Sequence, residues 1–155
     1  MTKRSAGLLP FRRTGSELEV FLVHPGGPFW KNKDAGVWSL VKGEYEGAED
    51  AMAAARREFA EETGFTLDEA EFLPLGEVRQ ASGKVVTAWA VEQDLDPAML
   101  RSNTFDMEWP PKSGKRQAFP EVDRAAWFQL PEARVKLIQA QTALLERLAE
   151  RLSTI

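Results

Sequence analysis

Residues 43–65 constrain the fold of this chain more than any other segment, and they read GEYEGAEDAMAAARREFAEETGF. Small and apolar residues recur there at steps of three and four, which predicts a helix over residues 47–63 with one narrow buried stripe. The stripe consists of Ala48, Met52, Ala55, Phe59 and Thr63. Glu49 and Asp50 suit the first turn of such a helix, and Gly64 suits its C-terminal cap. We therefore expect the helix to pack against a sheet with Phe59 as its one large anchor.

Three carboxylates gather along one edge of this predicted helix. Glu58 and Glu62 lie side by side at the rim of the stripe, and Glu61 adjoins them. Like charges four residues apart destabilise an isolated helix by roughly 0.2–0.5 kcal/mol, and Arg57 offsets only part of that repulsion. Hard divalent cations such as Mg²⁺ or Mn²⁺ take oxygen ligands of this kind. The residues thus favour a metal site over the simpler alternative, an exposed acidic face.

The whole segment fits the pattern G-x5-E-x7-R-E-U-x-E-E-x-G-U, in which U is a bulky apolar residue. The fixed positions are Gly43, Glu49, Arg57, Glu58, Glu61, Glu62 and Gly64, and the two U positions are Phe59 and Phe65. This is the signature of the Nudix box, so the chain resembles the Nudix hydrolases. The resemblance implies hydrolysis of a nucleoside diphosphate linked to another group, X, by attack of a metal-activated water on phosphorus.

The resemblance also implies which residues hold metal. Glu58, Glu61 and Glu62 correspond to the ligands of Mg²⁺, with Mn²⁺ as a possible substitute, and one of them would act as the base toward water. The backbone carbonyl of Gly43 is a further candidate ligand. Outside the box, Glu121 resembles an acid that some family members place near the metal.

Supporting and substrate-binding roles fall on a second set of residues. Arg57 and Glu49 resemble the family residues that orient the carboxylates and brace the loop. Lys42 adjoins the box, and Lys42, Arg12 and Trp30 are our candidates for substrate binding. Weaker candidates are the cations Arg13, Lys31 and Lys33, the aromatic residues Trp109 and Phe119, and the acid Glu77. The ordinary alternative for each is a solvated surface side chain or a core residue.

Composition limits the remaining classes of function. A chain of 155 residues with 43% hydrophobic content is expected to form a single domain over residues 1–155. Without cysteine it has no disulfide, zinc-thiolate site or thiol nucleophile. A net charge of −4 argues against nucleic acid as a partner, so a small nucleotide is the expected ligand. No apolar run approaches membrane-spanning length. We expect a cytoplasmic monomer or homodimer, with the single histidine, His24, as a packing residue at a strand end.

Hydrophobic alternation and turn residues predict strands on both sides of the helix. The predicted strands cover residues 5–11, 18–24, 72–80, 84–91 and 125–128, with a further turn near Gly114 between residues 104–109 and 116–119. A second helix is predicted over residues 131–152, with Val135, Ile138, Leu145, Leu148 and Leu152 on one stripe. This order favours an α/β fold with a mixed sheet. The resemblance implies a Nudix-type α/β/α sandwich closed by the C-terminal helix.

The sequence indicates X, the group linked to the nucleoside diphosphate, less clearly than it indicates the reaction. The approach to the box, Trp38-Ser-Leu-Val-Lys42-Gly43, is similar to the W-x-x-P-K-G approach of dinucleoside polyphosphate hydrolases, with Val41 in place of proline. Residues 75–90 contain neither the proline marker of ADP-ribose hydrolases nor the tyrosine marker of diadenosine polyphosphate hydrolases. We expect a weak preference for nucleoside or dinucleoside polyphosphates. The alternatives are ADP-ribose or another nucleotide sugar, and a regulatory domain that binds nucleotide without cleaving it.

Overall fold

The computed structural model describes residues 3–68 and 71–153 as an alternation of strands and helices. The strands are β1 (Arg4–Thr14), β2 (Glu17–Pro25), β3 (Val41–Glu44), β4 (Phe72–Arg79), β5 (Val85–Glu92), β6 (Thr104–Glu108), β7 (Arg116–Pro120) and β8 (Val122–Gln129). The helices are α1 (Ala51–Thr63), α2 (Leu130–Lys136) and α3 (Thr142–Ser153), and short 3₁₀ turns occur at Pro97–Met99 and Gln139–Gln141. None of the helices in these described ranges is long and apolar enough to cross a bilayer.

The main sheet is mixed, with strand order β4-β5-β1-β2-β8. β1 runs parallel to β5 and antiparallel to β2, and β2 runs antiparallel to β8. β3, which the sequence pattern did not predict as a strand, also pairs with β1. The predicted hairpins are confirmed for β1–β2, for β4–β5 and for the separate two-stranded sheet β6–β7.

Alternating residues of β1 build two apolar layers, one on each face of the sheet. Ala6 and Leu8 join a cluster with residues of α1, whereas Leu9 and Phe11 join a cluster with residues of α3. Helices therefore cover both faces, and the predicted α/β/α sandwich is confirmed.

Helix α1 begins later than predicted because Asp50 caps it. The Asp50 side chain accepts a hydrogen bond from the Ala53 amide at 3.0 Å, the arrangement of an N-cap. Gly64 ends the helix as predicted, with a left-handed φ of 76° and its amide donating to the Ala60 carbonyl at 2.8 Å. Ala48 thus lies outside the helix and is exposed, which corrects the predicted stripe. The buried residues of α1 are Ala54, Ala55, Phe59 and Thr63.

The C-terminal region is two helices rather than the predicted single helix. Leu137 and Ile138 adopt extended conformations and separate α2 from α3. Gln141 explains the break, since its fully buried amide donates to Ser39 Oγ at 3.0 Å and accepts from the Leu40 amide at 3.1 Å. These bonds hold the turn between the helices against the segment before β3.

The break also changes which residues of this region are buried. Val135 was predicted to lie on the buried stripe, but it is 62% exposed. Leu145 and Leu148 of α3 are fully buried, as predicted. The register of the stripe is lost at the turn, so one helical wheel does not describe both helices.

Candidate active site

A cavity of about 310 Å³ opens where the sheet divides beside β1. β5 occupies one edge of β1, while β3 and β2 share the other edge, along residues 5–8 and 11–14 of β1 respectively. Val23 and Ser39 exchange two backbone hydrogen bonds, of 2.9 and 3.0 Å, and both line the cavity. The cavity therefore lies between β2 and the chain that enters β3.

Gly43 lies in β3 directly against the side chain of Glu58 from α1. A Cβ atom at position 43 would lie 2.0 Å from Cδ of Glu58 and 2.2 Å from its Oε2. A Cβ atom there would force the Glu58 side chain to move, so glycine lets the strand and the acidic edge of the helix approach each other in this arrangement. The contact also places the backbone of residue 43 beside a carboxylate.

Arg57 connects three of the acids. Its guanidinium donates two hydrogen bonds to Glu49, at 3.0 and 3.1 Å, and one to Oε1 of Glu58 at 2.9 Å. Its Nη1 also lies 3.5 Å from Oε2 of Glu61. The hydrogen bonds to Glu49, followed by those to Glu58, raise the pKa of Arg57 above its ordinary value. Arg57 thus links Glu49 to Glu58 and Glu61 through its guanidinium.

Glu62 and Glu121 both line the cavity and come from distant parts of the chain. Burial, followed by the negative charges of Glu121, Glu58 and Glu61, raises the pKa of Glu62 to about 7, although Lys42 acts in the opposite direction. Burial, and then the charge of Glu58, also raises the pKa of Glu121. We call the four residues Glu58, Glu61, Glu62 and Glu121 the acidic wall.

Main-chain hydrogen bonds bring Glu121 to the end of α1. The Asn103 amide donates to the Glu61 carbonyl at 3.0 Å, and the Glu121 amide donates to the Asn103 carbonyl at 2.9 Å. The Gly26 amide donates to the Glu121 carbonyl, also at 2.9 Å. The segment around Asn103 therefore couples the helix to the junction of β7 and β8.

Lys42 is the cation of the cavity. It is half-buried and lines the cavity beside Glu62. Burial lowers its pKa, as does the charge of Lys84, while Glu44, Glu62 and Glu58 act in the opposite direction. A positive side chain therefore faces the acidic wall and is available to an anionic ligand.

The apolar part of the lining, which we call the apolar wall, consists of Trp30, Val37, Leu40 and Ile138. Trp30 is 40% exposed, and the Lys33 ammonium lies 5.1 Å from the centre of its ring. The indole is thus open to solvent on one side and accessible to a flat ligand.

The donors of the acidic wall suit a hard divalent cation. Four carboxylates and the Gly43 carbonyl are oxygen ligands of the type that Mg²⁺ and Mn²⁺ take. Within residues 3–68 and 71–153, no three acidic or histidine side chains already form a metal-binding group. Arg57 engages Oε1 of Glu58 and lies near Oε2 of Glu61, and the second oxygen of each carboxylate can bind a metal ion while the first stays near the guanidinium.

The family model of the NUDIX domain matches residues 1–148. The chain belongs to the Nudix family. The hydrolase family predicted from the box is thereby confirmed, and Nudix hydrolases generally use divalent metal ions. No curated protein sequence matches the chain.

Solved structures share the Nudix fold along nearly the whole chain. The Ap4A hydrolase of C. elegans, in a binary complex, is 20% identical with a TM-score of 0.68, over 97% of this chain and 99% of that chain. The NUDIX domain of Shewanella oneidensis NrtR, complexed with ADP ribose, is 18% identical with a TM-score of 0.67, over 98% and 89%. RenU, a Nudix hydrolase from M. smegmatis, is 21% identical with a TM-score of 0.60, over 97% and 86%.

Several predicted substrate residues of this Nudix chain lie away from the cavity. Arg12 is not among the residues that line the cavity. Its guanidinium donates hydrogen bonds to Glu19 and Asp94, both at 2.8 Å. It also lies 4.4 Å from the centre of the Trp127 ring. The hydrogen bonds and charges of Asp94 and Glu19 raise the pKa of Arg12, although burial opposes them as the largest single cause. Arg12 is thus committed to a surface ion pair.

The weaker candidates are also distributed over the surface. Arg13 pairs with Glu92 at 3.2 Å, and the exposed Glu77 accepts a hydrogen bond from Thr87 at 3.4 Å. Phe119 packs on Phe105, with ring centres 6.1 Å apart. The Trp109 ring packs edge-to-face on the ring of Phe29, the neighbour of Trp30, with ring centres 5.5 Å apart. Lys31 and Lys33 are exposed on the segment that follows Trp30.

Sequence reasoning missed most of the apolar wall. Val37 and Ile138 are ordinary aliphatic residues from segments about a hundred residues apart, and they carry no polar or motif signal. Ile138 enters the cavity only because the chain breaks between α2 and α3. Only Trp30 was recognised, as an aromatic residue outside the expected core.

Proposed function

We propose that this Nudix protein hydrolyses a diphosphate that links a nucleoside to another group, with water attacking phosphorus and a divalent metal ion as cofactor. The single observation that supports this most strongly is the arrangement of Glu62, Glu121 and Lys42 around one cavity. Acids that bind metal and a cation that binds phosphate are the components that diphosphate hydrolysis requires.

We propose Glu58, Glu61, Glu62 and Glu121, with the Gly43 carbonyl, as the ligands of Mg²⁺ or Mn²⁺. Burial and then the repulsion from Glu121, Glu58 and Glu61 raise the pKa of Glu62, and this supports the assignment because a cation there would relieve the repulsion. When bound, such an ion lowers the pKa of a coordinated water and polarises a phosphoryl oxygen.

The chain's own side chains then take distinct roles. Glu62 accepts the proton of the attacking water, since it lines the cavity together with Glu121 and Lys42. Lys42 binds a phosphate oxygen, because its ammonium is half-buried at the cavity and faces the acids. Arg57 and Glu49 position the carboxylates through their paired hydrogen bonds.

We propose a nucleoside or dinucleoside polyphosphate as the substrate. Trp30 offers an exposed ring for base stacking, which is worth about 1–3 kcal/mol per base. The similar C. elegans structure is an Ap4A hydrolase, which supports this class, whereas the NrtR domain is complexed with ADP ribose, which keeps nucleotide sugars as the second candidate. Identities near 20% leave this choice to experiment.

We further propose that residues 1–155 act as one domain on this small nucleotide, without nucleic acid or membrane, as a monomer or homodimer in the cytoplasm. The negative net charge of −4 supports the first part, since broad binding to nucleic acid depends on many cationic contacts. The family model, which extends over residues 1–148, supports a single domain.

A panel of substrates in ¹⁸O-labelled water tests the proposed reaction. It contains nucleoside di- and triphosphates, diadenosine polyphosphates, ADP-ribose and NADH, each with Mg²⁺, with Mn²⁺ or with chelator. We expect metal-dependent cleavage of one class, with ¹⁸O in a single phosphate product and no turnover by Glu62→Gln. Tight nucleotide binding without any product would contradict the enzyme and favour a regulatory domain.

A further inference from the structure

His24 is the only histidine of the chain, and it is fully buried at the end of β2. Its Nδ1 lies 2.8 Å from Oδ1 of Asp123, and its Nε2 lies 2.6 Å from the backbone carbonyl oxygen of Lys33. The ring also packs edge-to-face on Trp38, with ring centres 5.2 Å apart. The predicted packing role is therefore only part of what this residue does.

Both nitrogens of the ring face oxygen atoms that accept hydrogen bonds. A backbone carbonyl only accepts, and an ionised carboxylate only accepts. Both ring nitrogens thus lie at hydrogen-bond distance from an oxygen of another segment, and the ring is held from two sides.

The charged groups around the ring are few. Asp123 of β8 is the carboxylate in direct contact, with its side chain 30% exposed. The Arg124 guanidinium lies 5.5 Å from the centre of the Trp38 ring, on which His24 also packs. Asp34 accepts a hydrogen bond from Trp38 Nε1 at 2.8 Å and pairs with Lys136. Asp123 is thus the acid that contacts His24.

The two partners of His24 lie in the segments that carry Trp30 and Glu121, two residues that line the cavity. The Lys33 amide donates to the Trp30 carbonyl at 2.9 Å, so the turn that carries Trp30 ends at the carbonyl that His24 binds. Asp123 follows Glu121 by two residues and Val122, a lining residue, by one. One buried ring therefore bridges the Trp30 turn and the strand that leads from the acidic wall.

We propose that His24 is a positioning residue whose two ring contacts fix the Trp30 turn against β8. It does not touch the reacting atoms. Its effect on substrate binding rests on the proposed function, but its two hydrogen bonds do not.

Nitrogen NMR of ¹⁵N-histidine-labelled protein tests the link without any substrate. We expect the single ring to show a hydrogen-bonded signal at each nitrogen. In Asp123→Asn, a folded variant should change the Nδ1 signal and leave the Nε2 signal, which reports the bond to Lys33, nearly unchanged. A variant spectrum identical to that of the wild type, or one in which only the Nε2 signal changes, would overturn the proposal.

Two near-isosteric variants test the positioning role. A glutamine side chain places its N–H₂ near the position of histidine Nε2, whereas asparagine places it near Nδ1. His24→Gln therefore retains a donor for the Lys33 carbonyl, and His24→Asn does not.

We expect KM for the nucleotide identified by the panel to rise by about tenfold in His24→Asn, and by less in His24→Gln, with kcat nearly unchanged. Equal KM values in both variants and the wild type would overturn the positioning role. If the panel yields no turnover, the dissociation constants of the nucleotide for the wild type and the two variants are compared in place of KM. The NMR test does not depend on that outcome.

Discussion

The acidic wall and the apolar wall face one cavity but are constructed in different ways. Glu58, Glu61 and Glu62 lie within five residues of one helix, and Arg57 and Gly43 fix their surroundings through direct contact. Trp30 and Ile138 come from separate segments and meet only through the tertiary fold. Under the proposed function, the acidic wall carries out the hydrolysis, and the apolar wall selects X, the group linked to the nucleoside diphosphate.

Glu62→Gln should have the largest effect and should leave the apolar wall untouched. We expect kcat to fall by about 10²–10⁴-fold, as for loss of a general base, with KM nearly constant. Circular dichroism and thermal melting check that the fold is retained. Activity within a factor of two of wild type would contradict the assignment of the catalytic step to the acidic wall.

Lys42→Gln should have the next largest effect, because it removes the cation that faces the acids. Losing a charged hydrogen bond of about 1.5–3 kcal/mol lowers kcat/KM by about 10–100-fold. Arg12→Gln is the matched control, since Arg12 lies in a surface ion pair outside the cavity. Equal effects of the two substitutions in steady-state kinetics would contradict the placement of phosphate beside Lys42.

Trp30→Ala tests the apolar wall. We expect KM to rise by about tenfold, through the loss of base stacking, while kcat changes little. Trp30→Phe retains a stacking surface and should recover most of the affinity. If Trp30→Ala lowered kcat as strongly as Glu62→Gln, the division of roles between the two walls would be wrong.

A smaller effect concerns the stability of the metal-free protein. Glu62 has its pKa raised from 4.5 to about 7, so the folded state retains a proton that the unfolded state has already lost. Between these values the folded state binds more protons, and the free energy of unfolding therefore falls as pH rises, then levels off above about 7.

Urea denaturation of wild type and Glu62→Gln at several pH values between about 5 and 8 measures this contribution. We expect the stability of wild type relative to the variant to decrease over the window. A difference that stays constant or increases with pH would contradict the repulsion within the acidic wall.

The two walls also differ in how far sequence predicts them. Helical periodicity and the fixed residue pattern of the Nudix box predicted where the box glutamates lie on α1. The alternation of apolar and polar residues predicted the strands of the hairpins β1–β2 and β4–β5. The start of α1 was misplaced because Asp50 caps it, and the C-terminal helix was broken by the tertiary bonds of Gln141. Contacts of this second kind, including those of His24, depend on residues far apart in sequence, and no local pattern encodes them.

Binding of Mn²⁺, followed by electron paramagnetic resonance, tests the central claim most directly because it needs no substrate. The wild type should bind the ion, and Glu58→Gln should weaken binding on the order of tenfold or more. Glu77→Gln, at an exposed carboxylate of β4 outside the cavity, should bind as the wild type does. Equal Mn²⁺ affinity in wild type and Glu58→Gln would contradict the acidic wall as the metal site.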